Sequence, residues 1–159
     1  MMDEQHIASA FDRDLEAIQA HIMKMGGMVE VAIRDSARAL ETRDEELALK
    51  VRTADKAIDA LEELINEETA RLIALRSPTA SDLRLVLSVM KIAGNLERVG
   101  DYGKNIAKRT TVLAQGPSVS DSAAALRRMA REVERMLKDA LDSYIQRDAE
   151  LAADVIARD

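Results

Sequence analysis

Two acidic residues four positions apart, Glu97 and Asp101, are the first candidates for chemistry in this sequence. On a helix that spacing puts both carboxylates on one face, where like charges cost roughly a few tenths of a kcal/mol unless a cation offsets them. A second pair, Asp55 and Asp59, has the same spacing in an upstream helical stretch. If the two helices run antiparallel about a corner near residues 76–78, Glu97 lies level with residues 55–58 and Asp101 with residues 51–54. Asp55 and Asp59 then fall within a turn of the first pair. Four carboxylates facing one another across two packed helices repel strongly without a counterion. All-oxygen sites suit Mg, Ca, Mn or Fe, and helical bundles hold di-iron or di-manganese centres on such residues. Those bundles usually add a Glu-x-x-His pair, whereas His6 and His21 here sit on the first helix. Acids four apart are common in this chain (12/16, 41/45, 59/63, 63/67 and 150/154 besides the two pairs above), so the plainer reading is a surface cluster paired with Lys104, Arg98 or Lys56. No Ser-His-Asp set, phosphate-cradling Gly loop or Cys is present. A catalytic role would rest on metal and carboxylates alone.

The elements that must position these residues are helical. Steps of three and four link Ile7, Phe11, Leu15, Ile18, Ile22, Met25, Val29, Ile33, Ser36 and Leu40, one face held over residues 4–42 and roughly 55 Å long. Gly26 and Gly27 interrupt it, either as a kink or as a place where a neighbouring helix or ligand meets the backbone. Residues 42–44 form a tight corner with Asp44 as N-cap. A second helix runs from there to Arg76, with Leu47, Val51, Ala54, Ile58, Leu61, Ile65 and Leu72 inward. Ser77 as N-cap and Pro78 at the first helical position start the third helix. Its apolar row is Leu85, Val89, Ile92, Leu96, Val99, Ile106 and Leu113. Beside it, Leu83, Leu87, Met90 and Gly94 lead into Glu97 and Asp101, so a buried-looking stripe turns polar midway. The run 115–118, QGPS, breaks the chain. A fourth helix from about Asp121 is expected to bury Leu126, Met129, Val133, Met136, Leu137, Leu141, Tyr144 and Ile145, and to stop at Arg147 and Asp148.

Composition narrows the function classes. One Phe, two Tyr and no Trp, with 47% apolar and 33% charged residues, fit an all-α domain with a real core. A net charge of −6 argues against nucleic acid as partner. The lack of Cys suits a reducing compartment. The polar, acidic start reads as having no signal peptide and no membrane insertion, so a cytoplasmic location is expected.

The chain also repeats itself. Residues 44–55, DEELALKVRTAD, return as residues 148–159, DAELAADVIARD; at the same offset Met25, Val29, Glu30, Asp35 and Arg43 match Met129, Val133, Glu134, Asp139 and Arg147. The expected architecture is an antiparallel three-helix bundle over residues 1–115. Residues 116–159 begin a second, truncated bundle: its first helix and the first turns of its next. The fourth helix then has an apolar face in need of cover, from the first bundle or from another molecule.

The segments ADKAIDALEELINEETARLIAL and LRSPTASDLRLVLSVMKIAGNLERVGDYGKNIAKR closely resemble the PhoU family of phosphate-uptake regulators, and the likeness extends over essentially the whole chain. It implies two three-helix bundles related by internal symmetry. It also implies a cytoplasmic, non-enzymatic regulator that represses the phosphate-starvation response. The implied partners are the ATPase subunit of the phosphate ABC transporter, a phosphate-sensing histidine kinase and a second copy in a homodimer. The family's E/D-x-x-x-D metal motif falls on Glu97 and Asp101, and Asp55 and Asp59 match its companion stretch. The implied cofactor is a metal ion: iron, zinc, manganese or magnesium. The second unit's copy of LERxGD is missing here. A carboxylate-bridged di-metal hydrolase or oxidase and a metal-free helical adaptor are the competing readings.

Overall fold

A computed structural model describes residues 2–117 and 120–159, with side chains described over 9–117 and 121–159. Five helices follow in order: α1 (Met2–Thr42), α2 (Glu45–Arg76), α3 (Ala80–Leu113), α4 (Ser120–Gln146) and α5 (Ala149–Arg158). No strand occurs among the described residues, and the chain is an all-α bundle. α1, α2 and α3 pack on one another, α4 lies on α1, and α5 lies on α4. α1 and α2 are antiparallel, with Asp14 against Arg76 at 2.9 Å and His21 against Glu68 at 3.3 Å. No helix among the described residues is long and apolar enough to cross a membrane.

The α1 stripe is buried as its spacing predicts. Phe11, Leu15, Ile18, Ile22, Met25, Val29, Ile33 and Ser36 are all buried, and Leu40 is half-buried. His6 and Ile7 lie outside the described side chains, as does Ser118 of the expected break. α1 runs unbroken through Gly26 and Gly27. The pair serves a close approach: a Cβ at Gly26 would overlap Cδ1 of Leu141 on α4, whereas one at Gly27 would meet open space.

α2 starts as expected, with the Leu47 N–H donating to Asp44 Oδ1 at 2.9 Å. Along it, Ala54 is exposed, while Ala48, Asp55 and Thr69 join the buried face. The α2–α3 connection differs from expectation. Ser77 closes α2 instead of opening α3: it adopts a left-handed conformation (φ 45°) and its N–H donates to the Ile73 carbonyl. Pro78 lies in the loop, and Thr79 is the N-cap of α3. A residue that has left the helix for the left-handed region completes a C-cap, and Pro just beyond it stops the helix for lack of an N–H.

The core row of α3 also departs from expectation. The buried residues are Val86, Val89, Ala93, Leu96, Gly100, Gly103, Ala107 and Thr110. Ile106 and Leu113 are exposed, and Leu85, Ile92 and Val99 are half-buried. The core stripe therefore turns small rather than polar. A Cβ at Gly103 would come within 3.2 Å of the Ala32 carbonyl oxygen, and one at Gly100 within 3.2 Å of Ile58 Cδ1. Small residues win these positions because they let three backbones approach, an advantage that side-chain hydrophobicity does not register.

Among the described side chains of α4 only Leu141 and Ser143 are buried. Leu126, Met129, Val133 and Ile145 are exposed, contrary to expectation, because α1 and the short α5 are the only described helices that pack on α4. The corner that follows copies the first. Arg43 and Arg147 have φ of 55° and 54°. Asp44 and Asp148 cap Leu47 and Leu151 at 2.9 Å each, and their own N–H groups donate to the Ala39 and Ser143 carbonyls.

Candidate functional site

The acidic residues that the sequence singles out lie along the α2–α3 contact, in a register about one turn away from the expected one. Lys104 meets Asp55, Gly100 faces Ile58, and Gly94 faces Glu62. α3 begins two residues later than the Ser77–Pro78 reading places it, and each α3 residue meets a later part of α2 than expected. Asp55 is therefore level with Asp101 and Lys104, and Glu97 is level with Asp59 and Glu62.

Asp55 is only 4% exposed. Its Oδ2 accepts from Lys104 Nζ at 2.5 Å, and its Oδ1 is buried with no hydrogen-bond partner. Lys104 also lies 3.9 Å from Asp101 Oδ1. A buried carboxylate oxygen without a partner carries its full desolvation cost, about 1–3 kcal/mol or more for a charged group. Such an atom has the lone pairs to accept from, or to coordinate, one further group.

The other acids feel one another. Burial pushes the Glu97 carboxyl above its ordinary range, and the carboxylates of Glu62, Asp59, Asp101 and Asp55 raise it further. Burial likewise raises Asp59, with Asp55 adding to the rise and Lys104 opposing it. Glu62 rises through burial and then Asp59 and Glu63. The Asp55 hydrogen bond raises Lys104. The structure thus holds Asp55, Asp59, Glu97 and Asp101 within electrostatic reach of one another and adds Glu62. Glu62 is three positions from Asp59, an i, i+3 neighbour that a search for i, i+4 pairs passes over.

The all-oxygen donor chemistry and the orphaned Oδ1 of Asp55 suit a hard cation. The side-chain placement does not yet close a cage: among the described residues no three His, Asp or Glu side chains are arranged to hold a metal ion. Lys104 supplies the positive charge at Asp55. His21 is engaged by Glu68 on the α1–α2 face.

Fold and site together define an all-α bundle with a recurring helical corner and a cluster of carboxylates along one helix–helix contact. The chain belongs to the PhoU domain family, whose model matches residues 22–110 and again 126–159. The two matches start at Ile22 and Leu126, the same offset as the internal repeat. It is 42% identical over 154 residues to the phosphate-specific transport system accessory protein PhoU homolog of Zymomonas mobilis, covering 97% of this chain and 65% of that protein. The homolog from Pseudomonas putida is 38% identical over 97% of this chain and 60% of its own length. The crystal structure of PhoU from Pseudomonas aeruginosa superposes with a TM-score of 0.86 at 37% identity, covering 91% of this chain and 69% of that one. The chain therefore spans somewhat less than two thirds of these curated relatives.

Proposed function

We propose that the chain is a cytoplasmic accessory regulator of phosphate transport, acting through protein contacts and not as an enzyme. It would restrain high-affinity uptake and the phosphate-starvation response by engaging the transporter's ATPase subunit and a phosphate-sensing histidine kinase, as a homodimer. The observation that carries this reading is the family match in two segments at the spacing of the internal repeat. That spacing also supports a division into a first unit over residues 1–115 and a second beginning within 116–159.

The acidic face is the proposed metal surface. Asp55, Asp59, Glu97 and Asp101 would hold iron, zinc, manganese or magnesium, with Lys104 leaving Asp55 when the ion arrives. The buried, unpartnered Oδ1 of Asp55 supports this. A bound cation would neutralise the mutual repulsion that raises Glu97 and Asp59 and would turn the face from an acidic into a neutral docking surface.

Metal analysis of the purified protein beside the Glu97→Gln/Asp101→Asn double variant tests the metal assignment. Stoichiometric metal in the parent, lost in the variant with helicity intact, is the expected result; a metal-free parent after loading overturns it. Co-purification with the transporter ATPase subunit tests the regulatory reading separately. Phosphoester turnover that disappears in the double variant would overturn the non-enzymatic assignment.

A further inference from the structure

The seam between α1 and α4 holds a second polar feature, remote in sequence from the acidic face. Two ion pairs bridge it: Arg34 Nη1 to Glu134 Oε1 at 3.2 Å and Arg127 Nη1 to Glu41 Oε1 at 3.0 Å. Those pairs fix α1 and α4 as antiparallel and act as rungs at either end of an open groove of about 610 Å³. Between them, Arg38 stands one turn beyond Arg34 on one wall, and Arg131 one turn beyond Arg127 on the other. No described carboxylate forms an ion pair with Arg38 or Arg131. Ala37 and Ala130 lie between the arginines, and their small side chains leave the recess open.

The lining thus sets four guanidinium groups against two carboxylates, Glu41 and Glu134, in a protein whose net charge is −6. Both carboxylates are engaged by the rungs. The two remaining guanidinium groups face the same space from different helices, a placement that an anion between them stabilises. The volume lies within the range of small-molecule sites, roughly 300–1,000 Å³. Guanidinium forks match carboxylate and phosphate oxygens, usually two at a time. A carboxylate offers its two oxygens in one plane, to one fork. A tetrahedral phosphoryl group offers oxygens in several directions and can satisfy forks from opposing walls together.

We propose that the α1–α4 groove is a binding site for a small phosphoryl oxyanion, held between Arg38 and Arg131 and flanked by the Arg34–Glu134 and Arg127–Glu41 pairs. Bound there, the anion ties α4 to α1 and so stabilises the docking of the second helical hairpin on the first bundle. The site is independent of the proposed metal face.

Calorimetric titration of the full chain with pyrophosphate, beside inorganic phosphate, a nucleoside diphosphate and citrate, tests it. Pyrophosphate or the diphosphate binding with one site per chain is expected, together with a raised thermal midpoint. The Arg38→Gln/Arg131→Gln variant, which changes two exposed side chains, should bind about tenfold or more weakly, having lost two charge-assisted contacts. Arg52→Gln/Arg71→Gln removes the same charge elsewhere and should leave affinity unchanged. If the first double variant fails to fold, each single change should still weaken binding. Absence of binding by both pyrophosphate and the nucleoside diphosphate, equal weakening by both double variants, or citrate binding as tightly as the tighter of the two overturns the proposal.

Discussion

α1 and α4 carry one pattern at a fixed offset and bury it differently. Met25 is fully buried and Met129 is 62% exposed; Val29 and Val133 stand at 0% and 40%. Their following corners are nevertheless superposable in detail, with matching left-handed arginines and matching aspartate caps. The corner is local chemistry, a short polar side chain satisfying N–H groups a few residues away, and it forms wherever its residues occur. Burial is not local. α3 packs on both α1 and α2, with Gly100 against Val29 and Ile58, whereas no described helix packs on both α4 and α5 in that way. The same difference shows in the acids: Asp55 is buried and clamped by Lys104 of α3, while Asp159, its counterpart in the repeat, is exposed. A third helix turns a repeated hairpin into a core and a repeated aspartate into a candidate site.

The largest expected effect comes from breaking that clamp. Lys104→Met leaves Asp55 buried with neither oxygen paired and should cost about 3 kcal/mol in urea unfolding, the low end for a broken buried pair because Lys104 is itself partly exposed. Adding Asp55→Leu should restore most of the loss, since an apolar pair replaces the ionic one. A Lys104→Met variant as stable as the parent would show that Asp55 needs no partner. Next, Met25→Ala should cost about 2–5 kcal/mol and Met129→Ala under about 0.5 kcal/mol, as for buried and exposed positions. Equal losses would mean that the α4 face is covered in solution.

Those two tests also mark the limit of what was legible beforehand. The helices, both corners and the repeat could be read because apolar periodicity and capping residues are written in consecutive positions. The small-residue row of α3 could not, because Gly100, Gly103 and Ala107 earn burial from the backbones they admit. The acidic cluster is legible in its members, but an α3 started at Ser77 and Pro78 misplaces its register by about a turn. The observed register puts Lys104 on Asp55 and Glu62 beside Glu97, neither of which the spacing of carboxylates alone places. On α4, periodicity marked an apolar face correctly and burial wrongly, since a stripe says what a helix could cover and not whether anything lies on it.

The two caps sharpen the comparison at about 1 kcal/mol. Asp44→Ala and Asp148→Ala remove the same 2.9 Å bond. The first should lower global stability because α2 is integral to the core. The second should fray only α5, read as faster amide exchange over residues 149–158 with an unchanged urea midpoint. Loss of global stability from Asp148→Ala would mean that the second hairpin unfolds together with the first.

The smallest effect is electrostatic and has opposite signs in the two regions. Glu97, Glu62 and Asp59 have folded-state pKa values raised above their ordinary ones. In the window rising from the ordinary carboxylate value of about 4, the folded state therefore binds more protons than the unfolded chain. Their stabilising contribution is complete below that window and is lost as pH rises through it, leaving repulsion at neutral pH. In the metal-free protein Glu97→Gln should raise stability at pH 7 by a few tenths of a kcal/mol, roughly the size of a like-charge pair, and flatten the fall in stability above about pH 4. Glu150 lies in the first turn of α5, at the positive end of the helix dipole. Glu150→Gln should weaken α5 by about 0.3–1 kcal/mol, read from its amide exchange. A destabilised Glu97→Gln at pH 7 would mean that the carboxylate has a favourable partner, and disappearance of the difference when a chelator lowers the parent to the variant's stability would identify the partner as a bound cation.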